Sequence, residues 1–154
     1  MARPKSYRDL IAWQKAMELA RHTYKVTENL PRREAYGLVD QMRRAAVSVV
    51  SNIAEGYGRL TDLQFRHFLG NARGSLYETQ TQVELAIDLG YIDERVGREL
   101  MNEGAEVARI LNGLLRSLGT PPGVIGANTN SGKPASASNS ASTANPASTA
   151  DYVS

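Results

Sequence analysis

Two histidines, two closely spaced glycines and one small polar run contain most of the side chains in this sequence that could do chemistry. His22 follows Glu18 by one helical turn, a spacing that can present two ligands to one metal ion. Both project away from the apolar stripe Leu10, Trp13 and Met17, however, and so lie outside any helical interior. His67 also opposes its apolar face, and Gln64 precedes it where the Glu-x-x-His donor pair of carboxylate-bridged metal bundles needs an acid. Gly56-x-Gly58 lacks the third glycine and the leading strand of a dinucleotide loop. There is no cysteine, no Gly-x-Ser-x-Gly and no phosphate loop ending in Gly-Lys-Ser/Thr. The sequence therefore predicts no catalytic residues, no metal and no cofactor.

The polar run is Ser51-Asn52-Ile53-Ala54-Glu55-Gly56. On a helix, Arg44, Ser48, Ser51 and Glu55 form one stripe beside the main apolar face, with Asn52 between stripe and face and Gln41 nearby. Small hydroxyl and amide groups in that position let a second helix approach closely while they satisfy one another. Ser48, Ser51, Asn52 and Glu55 are accordingly expected to form a structural polar cluster at a helix end. Glu103 is a second anomaly: it falls on an apolar face between Leu100 and Val107, where an unpaired carboxylate would be expensive. It should find an arginine or an interface partner, or lie at a widened edge of the fold.

Four segments have to position these groups. The first, from about Ser6 to Leu30, carries Leu10, Trp13, Met17, Ala20 and Tyr24 at spacings of three and four, and Pro31 ends it and is placed to open the next. The second runs to about Tyr57 with Leu38, Met42, Ala45, Val49 and Ile53 on its main face, and Gly56 and Gly58 punctuate its end. Thr61-Asp62-Leu63-Gln64 reads as a capping box for the third, whose apolar face is Phe65, Leu69, Ala72, Leu76, Val83 and Ala86. Asp93 can cap the fourth, with Val96, Leu100, Val107, Ile110, Leu114 and Leu118 in line. Gly97, Gly104 and Gly113 each cost such a helix about 1 kcal/mol against alanine, so close packing or ligand approach is the expected reason for them.

Helices of roughly 25 residues, each about 37 Å long, with short links favour antiparallel neighbours. The expected fold is all-α: an antiparallel up-down four-helix bundle over residues 1–119. From Thr120 to Ser154 the sequence turns to Ser, Ala, Thr, Asn, Pro and Gly, with Lys133 and Asp151 as its only charges, and is expected to be a disordered tail.

At 154 residues the chain can bury one cooperative core, and it lacks both an apolar leader and a stretch able to span a bilayer. A soluble cytoplasmic protein is expected. Net charge is +2, unevenly spread: residues 1–77 hold 13 Lys/Arg against 7 Asp/Glu, whereas residues 78–119 hold 4 against 8. Such asymmetry can steer an anionic partner or match complementary faces of neighbouring subunits.

The second segment has more apolar circumference than one seam requires. Val39, Ala46, Val50 and Tyr57 extend its arc, with Val47 further round, and these residues are expected to contact another copy of the chain.

Several ordered motifs together resemble one family. Asp9-Leu10-x-x-Trp13-Gln14-Lys15-Ala16-Met17, Gln41-Met42-Arg43-Arg44-Ala45-Ala46-Val47-Ser48, Ser51 through Arg59, and Phe68-Leu69-x-x-Ala72-Arg73-Gly74-Ser75-Leu76-x-Glu78 are similar to the four-helix-bundle 23S rRNA intervening-sequence proteins. That family is akin to the accessory variability protein of diversity-generating retroelements, a basic pentameric bundle that engages nucleic acid and a reverse transcriptase. The resemblance spans most of residues 6–118 and implies an all-helical homo-oligomer, a pentamer, associated with RNA or DNA; it carries over no catalytic residue.

The basic half of the chain supplies side chains for that role: Arg32, Arg33, Arg43, Arg44, Arg59, Arg66 and Arg73, whose planar forks suit phosphate oxygens. The leading expectation is a non-enzymatic oligomer that binds nucleic acid through these arginines. The alternative is a scaffold that holds another protein and no nucleic acid.

Overall fold

The computed structural model of the chain describes residues 4–119. The expected disordered tail, Thr120–Ser154, lies outside the described residues. Four helices account for about three quarters of the described part: α1 (Ile11–Thr27), α2 (Leu38–Tyr57), α3 (Asp62–Asp88) and α4 (Glu94–Ser117), with single 3-10 turns at Tyr7–Asp9 and Arg32–Glu34. No strand occurs among the described residues. Each helix packs on its neighbour in sequence, and α1 closes the ring against α4. Cross-helix contacts fix the antiparallel sense: Ser48 meets Ser75, Gly56 meets Phe65, and Arg66 meets Leu115. The bundle is therefore the up-down type.

Local chemistry sets the helix ends. Thr61 Oγ accepts the Gln64 N–H at 3.2 Å and Asp93 Oδ1 accepts that of Arg95 at 3.0 Å, each satisfying a donor that the first turn leaves open. Gly90 and Gly119 follow α3 and α4 with φ of 71° and 73°, the left-handed geometry in which glycine is unstrained. Two boundaries differ from expectation. α1 is shorter than Ser6 to Leu30, since extended Leu10 separates it from the Tyr7–Asp9 turn and it stops at Thr27; Pro31 lies beyond its end and does not open α2, which begins only at Leu38. Glu34 accounts for the delay: one carboxylate oxygen accepts the Leu38 N–H (3.2 Å) and the other the Tyr91 hydroxyl (3.1 Å), pinning a 3-10 turn to the α3–α4 link.

The core runs the length of the bundle through Leu19, Met42, Val49, Ile53, Leu69, Leu76, Val83, Leu100, Val107 and Leu111, all essentially sealed from solvent. Burial of each such side chain contributes about 1.5–3 kcal/mol before entropy is set against it. The expected faces of α2 and α3 are the buried ones, with Leu38 left at the margin. Gly97 and Gly104 sit where α4 touches α3, against Ile87 and Gln80, so close packing explains both; Gly113 meets only the tip of Arg116, and packing does not account for it.

α1 is rotated from the expected register. Beside Leu10 and Ala20 of the expected stripe it buries Ala12, Ala16, Leu19, Thr23 and Val26, leaving Trp13 and Met17 half-buried and Tyr24 exposed. Small alanines bring α1 close to its neighbours, and Thr23 is tolerated inside because its hydroxyl donates to Leu19 O at 2.8 Å. On α4 the register moves by one position: Leu111 and Leu115 enter the core while Ile110 and Leu114 stay at its edge.

The rotation corrects the expected interface residues. Val39, Ala46 and Val50 are 9%, 1% and 8% exposed, so they are largely consumed inside the chain, and Val50 reaches only the floor of the α1–α2 groove. Tyr57 is half-buried, edge-on to Phe65, with its hydroxyl donating to Pro4 O. The exposed apolar surface in this region is Val47, expected further round the arc, together with Tyr24 of α1.

Candidate functional site

The expected polar cluster divides in three. Ser48 Oγ and Ser75 Oγ lie 2.8 Å apart across the α2–α3 seam, and Asn52 Nδ2 donates to Ser48 O (2.8 Å) and Ser48 Oγ (3.1 Å). Ser51 faces away, into a groove between α1 and α2. Glu55 pairs with Arg59 one turn on. Ser48, Asn52 and Ser75 are thus the seam, and Gly56 completes it: a Cβ there would stand 2.7 Å from Phe68 Cβ. The run forms the end of a closely packed helix.

Glu103 finds a histidine rather than an arginine. His22 Nδ1 lies 2.8 Å from Glu103 Oε1, joining α1 to α4. Glu18, the other half of the potential metal pair, bonds Lys15 instead at 2.9 Å, and that hydrogen bond together with the carboxylate charge raises the Lys15 ammonium above its ordinary value. Among the described residues no three His, Asp or Glu side chains converge as a metal set.

The seven arginines do not form one surface. Arg32 and Arg33 sit on the turn before α2, with Arg33 donating to the Tyr91 hydroxyl at 3.3 Å. Arg43 lies over the Tyr24 ring, 4.8 Å from its centroid, and Nε donates to Thr27 Oγ1 at 2.9 Å, so it fastens α1 to α2. Arg44 stands 3.9 Å from Asp40, and Arg59 is paired with Glu55 while covering the Phe68 ring. Arg66 and Arg73 point toward α4, where Arg66 donates to Leu115 O and Arg73 to Asn112 Oδ1. They line a cleft of about 450 Å³ with Gly70, Asn112, Leu115, Gly119 and a third guanidinium, Arg116.

Sequence reading missed Arg116 because the acidic balance of residues 78–119 hid a basic last turn. On the opposite side of the bundle, Met17, Ala20, Tyr24, Val47 and Val50 line an apolar groove of about 530 Å³ rimmed by Arg21, Lys25 and Glu28. Arg95 and Arg98 are spent on Glu99 and Glu94, and the bond to Glu94 raises Arg98 further above its usual value.

The family model of the 23S rRNA-intervening sequence proteins matches residues 8–113, from the turn before α1 into the last turns of α4. The chain belongs to this family. A solved structure from Bacteroides thetaiotaomicron, described as a protein of unknown function from the S23 ribosomal protein family, superposes with a TM-score of 0.65 at 21% identity. The superposition covers 69% of this chain and 96% of that one, and it shows a shared fold. No curated protein matches the sequence. None of the described helices is long and apolar enough to cross a membrane. Arg116 lies beyond the matched residues, whereas Arg66 and Arg73 lie within them.

Proposed function

We propose that this member of the family is a non-catalytic, self-associating bundle that holds the phosphate backbone of RNA or DNA against its arginines. One observation carries the reading: Arg32, Arg33, Arg43, Arg66 and Arg73 have no carboxylate partner among the described residues, although ion pairs are plentiful elsewhere on α2 and α4. Guanidiniums left without anions keep donors for phosphate oxygens, and contacts to phosphate position a strand without reading its sequence.

The test is titration of a fluorescent single-stranded RNA with the full chain at low and at moderate salt. Binding should weaken along a log-log slope of about −0.7 per phosphate neutralised. Affinity indifferent to salt, or none at low salt, sinks the reading.

Self-association, to the pentamer that the family resemblance implies, is the second half of the proposal, and its occupant is another copy of this chain. The α1–α2 groove is apolar, its rim carries charges of both signs (Arg21, Lys25 and Glu28), and Tyr24 and Val47 stay exposed beside it, so an apolar patch of a second copy fits it. The same groove supports a scaffold that holds a different protein and no nucleic acid. Partners that survive nuclease treatment, together with absent RNA binding, would favour that reading.

A further inference from the structure

The end of the bundle where α3 starts and α4 stops carries an arrangement that the expected arginine surface did not include. Arg66, Arg73 and Arg116 line one cleft, and no Asp or Glu lines it with them. None of the three makes an ion pair among the described residues, while Arg44, Arg59, Arg95 and Arg98 each stand beside a carboxylate. A cleft lined by charge of one sign concentrates the field of its side chains. Two of the guanidiniums are already held: Arg66 by Leu115 O and Arg73 by Asn112 Oδ1 at 3.2 Å. Each has five N–H donors, so most remain for a ligand.

The C-terminus of a helix ordinarily repels anions because its last carbonyls are bare. Here three of the last four accept hydrogen bonds. Leu114 O accepts from Ser117 Oγ at 2.7 Å and Leu118 N at 3.2 Å, Leu115 O from Arg66, and Arg116 O from Gly119 N at 3.1 Å. Gly70 leaves the wall open, since a Cβ there would meet nothing within 4 Å.

We propose that this cleft is a phosphate seat, taking a phosphate group of a single-stranded nucleic acid between α3 and α4. The inference rests on the nucleic-acid reading above and narrows it to Arg66, Arg73 and Arg116.

The experiment uses the full chain and a fluorescent single-stranded RNA. Arg73→Gln with Arg116→Gln should weaken binding about tenfold or more and flatten the salt slope by about 0.7 for each phosphate no longer neutralised. Gly70→Leu keeps every charge, suits a helix better than glycine and fills the open wall, so it should weaken binding with helicity by circular dichroism intact. Arg95→Gln with Arg98→Gln removes the same charge from ion-paired sites on α4 and should change affinity by no more than about twofold.

Competition identifies the source of the phosphate, and either outcome supports the seat. Inorganic phosphate that displaces the RNA well beyond chloride at equal ionic strength points to a terminal phosphate; displacement equal to chloride points to the backbone diester. Wild-type affinity in both Gly70→Leu and the Arg73/Arg116 variant, or an equal loss in the Arg95/Arg98 variant, overturns the seat and leaves the broader reading standing. Wild-type protein that fails to bind at low salt overturns both.

Discussion

His22 of α1 and Glu103 of α4 face each other across the bundle, Nδ1 to Oε1 at 2.8 Å, and this contact explains a carboxylate on an otherwise apolar helix face. The pair sits at the edge of the core, with side chains 25% and 37% exposed. It is incompletely satisfied, because Glu103 Oε2 is buried and has no hydrogen-bond partner. Removing His22 leaves both oxygens unmatched, whereas an apolar residue at 103 removes the buried unpartnered oxygen altogether. His22→Ala should therefore lower stability by about 1 kcal/mol, discounted for partial exposure, and Glu103→Leu should be near neutral or stabilising. Urea unfolding midpoints check the order; a Glu103→Leu variant weaker than His22→Ala would show that Glu103 contributes more than its contact with His22.

Two glycines on adjoining helices should respond to alanine with opposite signs. A Cβ at Gly56 would lie 2.7 Å from Phe68 Cβ and 3.0 Å from Phe65 Cδ2, so α2 and α3 would have to part. The overpacking penalty of about 1–3 kcal/mol should exceed the gain of about 1 kcal/mol in helix propensity, and Gly56→Ala should destabilise. At Gly74 a Cβ meets nothing within 4 Å, so Gly74→Ala should stabilise by about 0.5–1 kcal/mol. Thermal unfolding of the two variants decides it, and shifts of the same sign would refute the close-approach account of Gly56.

The four helices and most of their caps were legible because α2 and α3 bury the positions that their 3.6-residue period marks. α1 was misread for an identifiable reason. Leu10 and Ala20 of the expected stripe are buried, but Trp13, Met17 and Tyr24 are not, because the core turns toward Ala12, Ala16, Leu19 and Val26 with a self-bonded threonine between them. The two small alanines on that side let the neighbouring helices approach where the larger side chains would hold them apart. The apolar arc of α2 does reach past the core, but its exposed part is Val47 rather than Val39, Ala46 or Val50, and Tyr24 of α1 stands beside it on the same groove. The arginines were legible as residue types, but their grouping was not, since Arg66 and Arg116 meet only after two helices have been laid side by side.

That correction changes which substitution tests assembly. Val50 is 8% exposed, so Val50→Glu buries an unpaired charge and should unfold the chain instead of separating subunits. Val47 is 42% exposed on the same groove, and Val47→Glu should leave helicity and unfolding temperature nearly unchanged while lowering the mass seen by light scattering. Wild-type protein that scatters as a monomer, or a Val47→Glu variant of unchanged mass, would remove the groove as an assembly surface.

The Ser48–Ser75 contact offers the sharpest test of the polar seam. Ser48 Oγ accepts from Asn52 Nδ2 at 3.1 Å while it shares a hydrogen bond with Ser75 Oγ at 2.8 Å, so the two hydroxyls are not independent. Ser48→Ala strands the Ser75 hydroxyl, and Ser75→Ala strands one side of Ser48; each should cost about 1 kcal/mol. With both removed, no half of the pair is left unmatched, and the double variant should cost less than the sum of the singles by about 0.5–1 kcal/mol. Asn52 would still hold Ser48 O at 2.8 Å, so the helix end should stay folded in all three variants. Additive losses in urea unfolding would mean that the hydroxyls act separately and that small size alone permits the close approach of α2 and α3.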